Sequence, residues 1–127
     1  MSVKAKYQPV LDLGEKLGTT DGYVEELDGK LNIGGTVKTQ YLKNTLWDKI
    51  KEIGGDNPSD IAADIKVEET NYYHKHTVES GDSLSKIAKH YYGEANKYMQ
   101  IFNANTDQLK DPNLIHPGQE LVIPFEE

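Results

Sequence analysis

Apolar positions along the chain switch between two spacings. Val10, Leu13 and Leu17 fall on one stripe of a short helix predicted over residues 9–17, with Gly18 at its end. Residues 23–27 and 30–33 flank Asp28-Gly29, a two-residue turn signal. Leu31 and Ile33 alternate with Lys30 and Asn32, so this stretch predicts a hairpin. Gly34-Gly35 predicts a bulge or the close approach of another backbone; a phosphate cradle would need a Walker lysine at a spacing where none follows. Leu42, Leu46, Ile50 and Ile53, bordered by Trp47, mark a longer helix over residues 39–53, closed by Gly54-Gly55. After a polar loop over 56–60, Ile61, Ala63, Ile65 and Val67 alternate as a third strand. The front half therefore reads αββαβ, with helices on one face of a small sheet.

The back half reads βααβ. Thr77 and Val78 are β-branched and suit a short strand, which Ser80-Gly81-Asp82-Ser83 breaks. Ser83 or Asp82 can cap the helix that follows, whose apolar face is Leu84, Ile87, Ala88 and Tyr91. Gly93 ends it, and a second helix over 95–103 offers Tyr98, Met99, Ile101 and Phe102 for burial. Turn chemistry at Asp111-Pro112-Asn113 and His116-Pro117-Gly118 precedes a closing strand over 120–123 that stops at Pro124. The expected fold class is α+β, with two small domains over 1–70 and 71–127 and a linker at about 68–75. That linker lacks the glycine, serine or proline of a flexible tether. Tyr72 and Tyr73 in it are expected to bury their rings between the domains and fix their orientation.

Composition narrows the chemistry. The 127 residues carry no cysteine, so disulfides and thiolate metal sites are excluded. Net charge is −7, and all 14 basic residues are lysines. Without the planar guanidinium, an acidic chain is poorly suited to nucleic acid or an anionic membrane, and better suited to cations. No run of apolar residues is long enough to span a bilayer, and the first residues lack the apolar core of a secretory signal. A soluble, cytoplasmic protein, monomeric and without membrane insertion, is the expectation.

Catalytic groups are scarce. Ser83 beside Asp82 is explained as a cap, since neighbours in sequence do not make a nucleophile–base pair, and no enzyme is expected. His74 and His76 would share one side of a strand, a spacing that serves zinc or nickel, but no partner for them is placed by sequence. Surface histidines are the commoner case.

From residue 76 to 124 the chain resembles a LysM domain. The residues that carry the likeness are 78–84, Ile87-Ala88, the region of Asn103, and 115–124, in the right order. LysM domains commonly bind N-acetylglucosamine glycans such as peptidoglycan. The resemblance places a glycan groove at Gly81, Asp82, Ser83 and Leu84 on one side, and Asn113, Leu114 and Ile115 on the other. The hairpin, helix and closing strand of the front half resemble a BON domain, on shorter and more degenerate motifs. Together the halves resemble the cytoplasmic BON–LysM potassium-binding family, to which Gly14-Glu15-Lys16-Leu17 and the segments at 92–96 and 101–105 also fit. The loop over 54–60 departs from that family in being longer and more polar, which bears on selectivity.

The resemblance implies a non-enzymatic sensor or buffer for potassium, with the ion as its only cofactor or ligand. A large monovalent ion suits several neutral oxygens, and carbonyls left over at helix ends provide them in a partly negative setting. Backbone carbonyls of Val10, Leu13, Gly54 and Asp56 are the expected set; alternatively Gly54-Gly55 simply caps its helix. A peptidoglycan-binding role is the alternative function. Docking in a phage-tail or injection baseplate, where LysM modules also occur, is a further one.

Overall fold

A computed structural model describes residues 2–126. The backbone divides into two compact units, Met1–Thr70 and Asn71–Glu127. The architecture is α+β, two small α/β assemblies in sequence.

The front unit runs α1 (Val3–Lys6), α2 (Gln8–Lys16), β1 (Thr20–Leu27), β2 (Lys30–Val37), α3 (Gln40–Gly54) and β3 (Ile61–Val67). The one-turn α1, capped by the Ser2 side chain, carries no apolar stripe and escapes the sequence pattern. Asp28 and Gly29 both have positive φ, 54° and 74°, the geometry that matches a tight hairpin to strand twist. The sheet order is β1-β2-β3, with β1 antiparallel to β2 and β3 parallel to it, so α3 is the crossover of a β-α-β unit.

Leu31, Ile33 and Val37 of β2, with Ile61 and Ile65 of β3, bury one face of the sheet against Tyr7, Val10, Leu46 and Ile50 from the helical side. Thr39 caps α3 by accepting the Leu42 amide. The bulge suggested by Gly34-Gly35 falls on the opposite strand, where the β1–β2 register breaks between Thr20 and Tyr23. The close approach falls on the glycines themselves. A Cβ on Gly34 would come within 2.5 Å of the Tyr23 ring, and one on Gly35 within 2.5 Å of Thr19 Cγ2.

The back unit runs β4 (His74–Thr77), α4 (Leu84–Tyr92), a 3₁₀ turn (Ala95–Lys97), α5 (Tyr98–Ala104) and β5 (Glu120–Ile123). β4 starts within the expected linker and ends before Val78, whose amide and carbonyl still bond the Gln119 carbonyl and Gly118 amide. The second predicted helix is two pieces, and Met99, expected to be buried, is exposed. Only Ile101 of that segment is fully buried, while Tyr98 and Phe102 pack at the margin of the core. Tyr73 belongs to this unit's core, edge-on to Tyr91 and Phe125. Tyr72 lies under the Lys75 ammonium. Asn105, 1 % exposed, ties α5 to β5: its amide donates to the Ile101 and Val122 carbonyls at 2.7 and 2.8 Å and its oxygen accepts the Val122 amide at 2.9 Å.

Candidate functional site

The candidate residues fall in two places, one in each unit. In the front unit, the C-terminus of α3 meets the start of α2. Tyr7, fully buried at the joint of α1 and α2, donates its hydroxyl to Asp60 Oδ1 at 2.6 Å. Lys6 Nζ holds the other oxygen of the same carboxylate, also at 2.6 Å. Asp60 is anchored in turn, because its carbonyl accepts the Leu31 amide at 2.9 Å. Burial, and secondly the Asp60 hydrogen bond, push the Tyr7 phenol up to about 12. Lys6 first, and then Tyr7, hold the Asp60 carboxyl below its usual range.

Gly54, the last residue of α3, has its Cα against the Tyr7 hydroxyl and Pro58; a side chain there would overlap both. The Tyr7 carbonyl accepts the Val10 amide at 2.9 Å. Tyr7 thus meets Gly54 through its hydroxyl and Val10 through its carbonyl. Leu13 lies one turn further along α2, and Asp56 is exposed in the loop beyond α3.

Val10 and Leu13 sit inside α2 rather than at its end, and the Leu13 carbonyl accepts the Leu17 amide at 2.9 Å. Those two carbonyls are therefore not clear of the helical ladder, contrary to expectation. Gly54 and Asp56 stand where α3 has run out of amides; the final ladder bond joins the Gly55 amide to the Lys51 carbonyl at 2.8 Å. Tyr7, Lys6 and Asp60 carried no signal in the sequence. Their mutual contacts span more than fifty positions, and no local pattern encodes them.

In the back unit, a groove of about 310 Å³ has Asp82, Ser83 and Leu84 on one side and Asn113 and Ile115 on the other. Ser85, Tyr98 and Pro112 complete it and were not anticipated; Tyr98 had only been read as a core residue. Gly81 and Leu114 do not line it, and Leu114 is exposed. The Ser83 hydroxyl accepts the Lys86 amide at 3.1 Å, so Ser83 is the helix cap.

Asp82 has a different task. Its Oδ2 accepts the Glu79 amide and faces His76 Nε2, both at 2.9 Å, and His76 Nδ1 lies 2.8 Å from the Tyr91 hydroxyl. A carboxylate only accepts, so Nε2 carries a proton, and in the neutral ring Nδ1 accepts from the Tyr91 hydroxyl. The Glu79 amide, and then His76, hold the Asp82 carboxyl below its usual range. His76 thus has the acidic partner that sequence spacing did not reveal, and both its ring nitrogens are committed.

His74 shares that side of β4 beside the Tyr91 ring. Burial, with His76 and His90 nearby, pushes its imidazole down to about 4. Among the described residues no three histidine, aspartate or glutamate side chains are placed to hold a metal ion. No helix among them is long and apolar enough to cross a membrane.

Residues 76–124 match the family model of the LysM domain. The potassium binding protein Kbp of Escherichia coli O6:H1 is 37% identical over 105 residues, covering 81% of this chain and 68% of that protein. An uncharacterized protein of Deinococcus radiodurans is 53% identical over 49 residues, which are 39% of this chain and 19% of that protein.

Proposed function

The chain belongs to the family of the potassium binding protein Kbp, and from that premise we propose that it is a non-enzymatic, cytoplasmic binding protein for potassium, serving as sensor or buffer. The observation that carries the reading is the junction at Tyr7, where the end of α3 is pressed onto the first turns of α2. The last carbonyls of a helix lack intrahelical partners and carry partial negative charge, which suits an ion held by neutral oxygens.

The Gly54 and Asp56 carbonyls would supply the part of the shell that α3 leaves over. Val10 and Leu13 would join through the second lone pair of each carbonyl, or through local loosening of α2. Gly54 has a structural reason to be glycine here, because only a residue without Cβ lets the α3 backbone reach Tyr7. Potassium titration followed by amide resonances tests the assignment. Saturable shifts centred on Tyr7, Val10, Gly54 and Asp56 are expected, and shifts confined to the back unit would refute it.

The groove of the back unit supports a second reading. It is polar, of a size for a sugar ring, and lies within the LysM match, so N-acetylglucosamine glycans are the ligand class it fits. Retention of the full chain on purified peptidoglycan, lost when Tyr98 is replaced by alanine, is the outcome that would establish it.

A further inference from the structure

A crevice between α2 and β1 in the front unit shares only Val10 with the potassium reading, which uses that residue's carbonyl and not the crevice. β2 and β3 bury their inward side chains, but every residue of β1 is exposed. Val24 shows the reason. It pairs with buried Ile33 and so points to the helical side of the sheet, yet it is 46% exposed. The helices cover the other two strands and leave β1 bare.

The β1–β2 register breaks after Thr20, and Gly22, Gly34 and Gly35 are among the residues that line the crevice. The space is about 240 Å³, and its walls are predominantly apolar, among them Leu11, Val24, Ile33 and Ile65. An apolar cavity of about 150 Å³ is enough to hold benzene, so this one takes a single ring with a short side arm. One charged group lies on its margin. Glu15 on α2 is exposed, and its carboxylate has no partner among the described residues.

We infer that this crevice is a binding site for a small organic ammonium ion, its ring or short alkyl body against Val24, Leu11 and Ile33 and its ammonium on Glu15. Apolar burial would supply most of the affinity, and the carboxylate selects the sign of the head group. For a ligand of this size the dissociation constant is on the order of a millimolar.

The test uses the full chain at constant potassium, titrated with phenethylammonium, with 2-phenylethanol as the neutral isostere and 3-phenylpropionate as the anion. Saturable amide shifts at Gly14, Val24 and Gly34 are expected with the ammonium. The alcohol should bind about threefold more weakly, and the carboxylate should show no saturation, as expected for one exposed charge contact. Val24→Gln should abolish the shifts while amide dispersion stays native. Glu15→Gln, a change at an exposed position, should bring the ammonium down to the level of the alcohol. Shifts that do not saturate, that fall elsewhere, or that are equal for all three compounds would overturn the assignment.

Discussion

Tyr7 donates its hydroxyl to Asp60 across 2.6 Å, and the two residues stand 53 positions apart in the chain. That bond closes the loop after α3 over the joint of α1 and α2 and places Gly54 beside the phenol. Because the phenol is held near 12, an unfolded chain ionises this tyrosine from about pH 10 while the folded one does not. The unfolded state therefore binds fewer protons in that window, and stability falls as pH rises from 10 towards 12. Tyr7→Phe should flatten that alkaline loss and lower stability at pH 7 by about 1 kcal/mol. Denaturant melts at a series of pH values provide the check.

Gly54→Ala should be among the more damaging small substitutions in the front unit. The added methyl meets the Tyr7 hydroxyl and Pro58, neither of which can swing away easily. A loss of about 2 kcal/mol is expected from such overpacking, with weaker potassium binding alongside it. Gly55→Asn has open space around it, but φ 86° with ψ 178° lies outside the left-handed well that asparagine tolerates, so its cost comes from backbone strain and not from overlap. Chemical denaturation of the pair separates the two effects.

His74 makes the back unit acid-sensitive. Its folded value of about 4 lies below the ordinary 6.5, so the unfolded state takes up the proton first as pH falls. Stability should decline between those two values and level off beneath them, by on the order of 2 kcal/mol once water near the half-buried ring is allowed for. His74→Gln should reduce the slope of stability against pH in that window. The slope, followed by near-ultraviolet dichroism, is the quantity to measure, since the absolute level also reflects lost packing.

Asn105→Ala should unfold the back unit or cost it about 3 kcal/mol. It would leave the Val122 amide and carbonyl without partners in a closed setting. Asn103→Ala, two positions away and exposed, should be within a few tenths of a kcal/mol of the parent. Thermal melts of the two variants distinguish a buried hub from a surface amide.

Local chemistry was what the sequence displayed best. The Asp28-Gly29 turn, the Ser83 cap, the stripe of Leu46 and Ile50, and the alternation ending at Val67 each follow from neighbours within a few residues. The Ser83 and Asp82 alternative resolved only in three dimensions, where Asp82 turned to His76 instead of the helix. The parallel pairing of β2 with β3 is not written in either strand, because alternation is the same for both directions. Helix α1 lacked periodicity altogether. At the front junction, glycine pairs and helix ends pointed to α3's terminus, but nothing nearby in sequence announced Tyr7 or Asp60. Val10 and Leu13 do not offer free carbonyls because α2, running to Lys16 much as the apolar stripe predicts, keeps both within its ladder.

Isothermal titration of the full chain with potassium, matched against sodium at equal ionic strength, tests the central claim most directly. A saturable heat with potassium, smaller with sodium and diminished in Gly54→Ala, is the result predicted by carbonyls gathered at the end of α3. Absence of any potassium-dependent heat, together with firm retention on peptidoglycan, would contradict it and assign the function to the groove beside Asp82.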